Sequence, residues 1–114
     1  MSPEKVFNHT DVVMVYQDRE VVEPTIKQIM ELGLDFKAYK HNPKIMHDMA
    51  KMEPKVLLLS SNDVKNTIQY YIDYLEEYEQ NIAPHSAVLL INNRETLNAY
   101  LACENGLFDN YVII

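Results

Sequence analysis

The sequence predicts a doubly wound α/β domain, with a five-stranded parallel sheet in the order 2-1-3-4-5 and helices on both faces. Three observations predict it. Short apolar runs alternate with longer stretches of helical spacing along the 114 residues. The runs at 12–16, 56–59 and 88–91 are continuous and rich in aliphatic or β-branched residues, as expected of strands buried on both faces. Each stops on a short polar cluster: Gln17-Asp18, Ser60-Ser61-Asn62-Asp63 and Asn92-Asn93. In open α/β sheets the carboxyl ends of the strands feed loops and helix N-termini on one rim, and ligands bind there.

The elements follow in order. Residues 12–16 are the first strand. Residues 20–32 place Val22, Ile26, Ile29 and Met30 at helical spacing, carry Pro24 early and meet Gly33 as a C-terminal cap. Leu34, Phe36 and Ala38 alternate with Asp35, Lys37 and Tyr39, which predicts an edge strand. Asn42-Pro43 reads as an N-cap and first helical position, followed by Ile45, Met46, Met49 and Met52 on a short amphipathic helix. Residues 54–59 form the strongest strand signal, and Asn62 or Asp63 can cap the helix predicted over 63–81. Its inner stripe reads Ile68, Tyr71, Ile72, Leu75, Tyr78 and Ile82. Tyr70 and Tyr74 then fall on the outer side as a candidate contact surface, with Asp73, Glu76, Glu77 and Glu79 as an acidic, solvated flank. Residues 87–91 are the next strand, 94–104 the next helix with Leu97, Tyr100 and Leu101 inward, and 111–114 the last strand. Right-handed crossovers give the stated order. A further helix would complete the cover of the last strand. Residues 1–114 therefore read as one domain, expected to be the N-terminal part of a longer chain or to be covered by another subunit.

Composition excludes several functions. The net charge of −7 opposes nucleic-acid binding, which needs clustered Lys and Arg; Lys37, Lys40 and Lys44 alone are a solvated edge. No run approaches the roughly 18 apolar residues of a membrane span. The N-terminus MSPEKVFNHT lacks the features of a signal peptide, so a soluble cytoplasmic protein is expected. The lone Cys103 reads as a small buried apolar residue. Two glycines, Gly33 and Gly106, leave no Gly-rich phosphate loop. His9, His41, His47 and His85 are scattered without metal-ligand spacing, so no metal or other cofactor is expected; His47 reads as solvent-facing. Ser60 and Ser61 lack a G-x-S-x-G elbow.

Four segments carry a resemblance. VVMVYQD resembles the first strand and acidic pair of the receiver domain of two-component response regulators, which puts Gln17 and Asp18 where two metal-binding acids stand. PKVLLLSS resembles the strand bearing the phosphoaccepting aspartate and puts Ser60 in its place. AVLLINN resembles the strand ending in the switch Thr or Ser, with Asn92 there, and NGLFDNYVII resembles the segment leading to the family's lysine, with Ile114 there and one extra residue before Tyr111. The resemblance spans nearly the whole chain and implies a flavodoxin-like fold. Of the five functional positions it retains only Asp18.

Phosphoryl transfer to a carboxylate needs Mg²⁺ held by hard oxygen ligands, and one carboxylate beside a serine is a poor cage. The resemblance thus implies a pseudo-receiver, a non-catalytic signalling module acting on a protein partner or by self-association. The fourth helix and fifth strand, with Tyr100 and Tyr111, are its implied output face, and Tyr111→Asp is expected to abolish a homodimer. A second reading is a small-ligand binder, for instance of a nucleotide, using Ser60, Ser61, Asn62, Asp63, Asn92 and Asn93 at the rim. A third is an atypical phosphorylatable receiver, with Asp63 as stand-in acceptor.

Overall fold

The computed structural model describes residues 10–114. His9 and the N-terminal segment discussed above lie outside the described residues. The elements run β1 (Val12–Tyr16), α1 (Arg19–Glu31), β2 (Phe36–Lys40), a 3-10 turn (Pro43–Ile45), α2 (Met46–Met52), β3 (Val56–Ser61), α3 (Val64–Tyr78), β4 (Ser86–Ile91), a second 3-10 turn (Asn93–Glu95), α4 (Thr96–Glu104) and β5 (Asn110–Ile113). All strand pairs are parallel, in the order β2-β1-β3-β4-β5. This is the expected flavodoxin-like, doubly wound fold, with β2 at one edge and the switch point between β1 and β3.

The sheet separates two cores. On one face α1 covers Val12, Met14, Leu58 and Leu90 with its own Val22 and Ile26. On the other, α2, α3 and α4 close over Val13, Val15, Leu57, Leu59, Leu89 and Ile91. Consecutive strand residues serve opposite faces, so these runs must be apolar throughout. Caps define the helix ends. Asp18 Oδ1 accepts from the Glu20 amide at 3.0 Å, and Asn42 Oδ1 from the Lys44 amide at 2.9 Å. Gly33 and Gly106 follow α1 and α4 in the left-handed region, at φ 74° and 80°. At α4 the Gly106 amide bonds to the Cys103 carbonyl and the Leu107 amide to the Ala102 carbonyl, the paired bonds of a Schellman cap.

Several expectations are corrected. Tyr70 and Tyr74 are not on an outer face: they are 6% and 1% exposed. Helix α3 lies between α2 and α4, so its buried arc is wider than the stripe expected of a helix resting on a sheet alone. Tyr70 donates its hydroxyl to the Asn42 carbonyl at 3.1 Å, and Tyr74 lies against the rings of Tyr71 and Tyr78. On α4 the expected inward residues Leu97, Tyr100 and Leu101 are exposed, and Ala99 and Ala102 face the core instead. The small alanines allow close approach of α4, and Phe108, in the loop after it, fills the neighbouring space by stacking on Tyr71 at 4.9 Å between centroids. Met30 on α1 is also exposed rather than inward. Cys103 is half-buried against the core, and this burial pushes its thiol pKa up. His47 is solvent-facing, as expected. Among the described residues, no helix is long and apolar enough to cross a membrane.

Candidate functional site

The carboxyl ends of β1, β3 and β4 form the rim that the polar clusters predict. Its polar groups are largely engaged with each other. Gln17, just past β1, turns its side chain across the switch point, where Oε1 accepts from the Asn62 amide at 2.9 Å. Asp18 is turned the other way and serves as the N-cap of α1. The two residues that the resemblance pairs as metal ligands therefore do different structural jobs.

Strand β3 continues two residues beyond the predicted 54–59, because Ser60 and Ser61 pair with Leu90 and Ile91 of β4. Both serines are consequently buried, at 8% and 2% exposure, rather than displayed on the rim. Ser61 Oγ accepts from Thr67 Oγ1 of α3 at 2.6 Å, a bond that satisfies two hydroxyls inside the core. Thr67 is absent from the sequence-derived site. Its signal was the spacing Ser61 to Thr67 across a helix start, which places a polar residue at an inward α3 position.

Asp63 caps α3, with Oδ1 accepting from the amides of Lys65 and Asn66 at 3.1 and 3.4 Å, and Oδ2 accepting from Asn66 Nδ2 at 3.2 Å. A second carboxylate reaches the same helix end from the β4–α4 connection: Glu95 Oε1 accepts from the Val64 amide at 2.7 Å. Sequence reasoning missed Glu95 because no local pattern links it to a helix start 31 residues earlier. Asn92 accepts from the Arg94 amide at 2.9 Å and so caps the turn after β4. A helix N-terminus attracts an anion. Here the chain's own carboxylates supply it.

Beside these contacts lies a cavity of about 730 Å³ over the ends of β3, β4 and β5. It brings together Asn62, Asn92, Asn93 and Ile114 of the expected site and adds Arg94 and Glu95. Gln17, Asp18, Ser60, Ser61 and Asp63 do not line it. Asn62, Asn92 and Asn93 are exposed, so their amides offer neutral donors and acceptors to a small polar molecule, with one guanidinium and one carboxylate in reach. Among the described residues, no three His, Cys, Asp or Glu side chains come together as a metal-holding group.

The expected interaction residues divide. Tyr70 and Tyr74 belong to the core, as described above. Tyr100 is 48% exposed on α4, and Tyr111 is half-buried, with its ring packed against the α2–α4 core. Around Tyr100 the exposed surface carries Leu97 and Leu101; Val112 and Ile113 of β5 and Ile114 just after it are exposed as well. Val112 pairs with Leu90 and so faces the α1 side of the sheet. Comparison of the chain with protein-family models, with curated proteins and with solved structures yields no match.

Proposed function

We propose that the chain is a pseudo-receiver: a non-catalytic, cytoplasmic signalling domain of the two-component type. It works by contact with a protein partner or a second copy of itself, independently of phosphorylation. One observation carries this reading. The crevice in which a receiver would accept a phosphoryl group is satisfied internally, by Gln17 on the Asn62 amide and Glu95 on the Val64 amide. Ser60, aligned with the acceptor by resemblance, offers a buried hydroxyl, and a serine without an adjacent base is weakly nucleophilic. Asp63, the one stand-in acceptor, already binds two helix amides. Leu97, Tyr100 and Leu101 of α4, near β5, supply the contact surface, since contiguous exposed apolar residues mark interaction sites.

Amide NMR during addition of Mg²⁺ and then beryllofluoride, a mimic of phosphorylated aspartate, tests the proposal. The spectrum is expected to stay unchanged. Shifts clustered at Asp18, Ser60, Asp63 and Asn92 would overturn it in favour of an atypical receiver.

The rim cavity supports a second reading, a small-ligand module taking a nucleotide-like molecule through Asn62, Asn92, Asn93 and Arg94. A ligand that binds only the folded state at 100 times its Kd adds about 2.7 kcal/mol of stability. Thermal unfolding in the presence of millimolar nucleotides distinguishes the two: a raised Tm favours the binder, and an unchanged Tm leaves the contact module.

A further inference from the structure

Helix α4 differs from the other helices in the charge of its outer face. Leu97, Tyr100 and Leu101 are exposed there, and no charged residue occurs from Thr96 to Cys103, in a chain whose charged share is 24%. The opposite arc carries the buried Ala99 and Ala102. Charge returns only at the two ends. Glu95 turns inward to the Val64 amide, which leaves Arg94 just before the helix and Glu104 at its last residue, both exposed. Leu97, Tyr100, Leu101 and Glu104 follow the i, i+3, i+4, i+7 spacing of one helix face, and Arg94 precedes Leu97 by three residues.

Reversed end for end, this face is its own complement. Leu97 and Leu101 lie two positions to either side of Ala99, and Arg94 and Glu104 lie five positions to either side. The leucines therefore stand about 3 Å from the level of Ala99 and the charges about 7–9 Å from it. A contact between identical copies about a two-fold axis requires such a pattern, because residue i meets residue j of the second copy while j meets i. Both end charges also oppose the dipole of α4, whose N-terminal end favours anions and whose C-terminal end favours cations. Neither is compensated within the chain: among the described residues the ion pairs are Arg19–Glu23 and Lys55–Asp11.

We propose that α4 pairs antiparallel with α4 of a second copy, about a two-fold axis at the level of Ala99. Leu97 then packs on Leu101 of the second copy and Leu101 on its Leu97, with the two Tyr100 rings beside the axis. Arg94 meets Glu104 of the second copy at one end, and Glu104 meets its Arg94 at the other. Ile113, exposed on β5 and paired with Ile91 of the α2–α4 core, borders the contact on the same side of the sheet. Each copy carries a net charge of −7, so two copies approach most readily through a face that presents no like charges to itself. A contact of about two helical turns is small, which makes the dimer weak and reversible. The pairing rests on the α4 contact surface of the pseudo-receiver reading. Its failure leaves that reading with a heterologous partner, and the beryllofluoride titration tests the reading without reference to assembly.

The test is sedimentation equilibrium of the full chain over about 0.01–1 mM, a range that captures weak dimers. The wild type is expected to dimerise. Arg94→Glu alone and Glu104→Arg alone each turn both end pairs into like-charge pairs, and each is expected to raise the dimer Kd about tenfold or more. The double variant Arg94→Glu with Glu104→Arg keeps the net charge of −7 and restores both pairs in reverse, so its Kd is expected to return to within about threefold of the wild type. An equimolar mixture of the two single variants is expected to form the heterodimer, in which both pairs are again opposite in sign. Each single change places at its end of α4 the charge that the dipole favours, so lost assembly is not explained by unfolding; Tm is measured alongside. A wild-type monomer at the top of the range, a dimer indifferent to the single reversals, or a double variant that fails to recover would each overturn the proposal.

Discussion

Glu95 Oε1 accepts a hydrogen bond from the backbone amide of Val64 at 2.7 Å, which ties the connection after β4 to the start of α3. The bond crosses between neighbouring strand ends and places a negative charge at the positive end of a 15-residue helix. It serves as a built-in anion. Glu95→Ala is expected to lower stability by about 1–2 kcal/mol, the scale of a charge-assisted bond at a half-exposed site. Glu95→Gln, which keeps an oxygen acceptor without the charge, is expected to lose less. Urea unfolding of both variants checks the order, and equal losses would refute the electrostatic part of the argument.

Gln17 closes the switch point through the Asn62 amide, so Gln17→Ala leaves that amide to solvent. A cost of about 0.5–1.5 kcal/mol is expected. The more specific readout is local, because the Asn62 amide should exchange its hydrogen faster while amides within β3 do not change. Unaltered exchange at Asn62 would show that Gln17 does not hold the loop.

Burial of Tyr70, Tyr71 and Tyr74 on α3 and exposure of Tyr100 on α4 predict a sharp contrast. Tyr74→Ala removes a fully buried ring and is expected to cost about 3–5 kcal/mol, as large aromatic truncations do. Tyr100→Ala is expected to stay within about 0.5 kcal/mol. Chemical denaturation measures both. The reverse ranking would restore the outward placement of the α3 tyrosines.

Alkaline pH should probe the same cluster. Burial raises the pKa of Tyr70 and of Tyr71 from 10.0 to about 12. Each group holds its proton more tightly in the folded state than in the unfolded one, so the folded state binds more protons within that interval. Stability is therefore fully present below pH 10 and falls as pH rises from 10 toward 12. Tyr70→Phe should reduce the slope in this window. Stability measured at a series of alkaline pH values tests the sign.

The α4 surface makes a prediction about assembly. Sedimentation of the domain at high concentration is expected to show a dimer or partner-dependent complex, with Leu97→Asp and Leu101→Asp abolishing self-association without unfolding. Tyr111→Asp, the variant first indicated by sequence, is unsuited to this purpose, because the Tyr111 ring packs against the core. A wild-type monomer would remove self-association from the proposed function and leave a heterologous partner.

Strand order and helix starts were legible in the sequence because they depend on local chemistry. The continuous apolar runs define strands buried twice, Asn42 and Asp63 carry cap oxygens where a turn or helix begins, and Gly33 takes the left-handed φ that closes α1. The edge position of β2 was visible in its alternation of apolar and charged residues. The site was less legible. Ser60 and Ser61 read as rim residues, but their fate depended on how far β4 extends opposite them.

Sequence by itself determined the doubly wound sheet and the convergence of polar segments at its carboxyl rim, since both follow from run length, periodicity and crossover handedness. Tertiary structure alone decided which arcs of α3 and α4 are buried and which rim groups remain available. Periodicity gives the spacing of a helix's apolar residues but not the direction from which its neighbours arrive. Flanking helices enclosed Tyr70 and Tyr74, and the small Ala99 and Ala102 turned Leu97, Tyr100 and Leu101 outward. Likewise, only folding could bring Glu95 to Val64 and Gln17 to Asn62, contacts between residues distant in the chain that engage the very amides a ligand would otherwise meet.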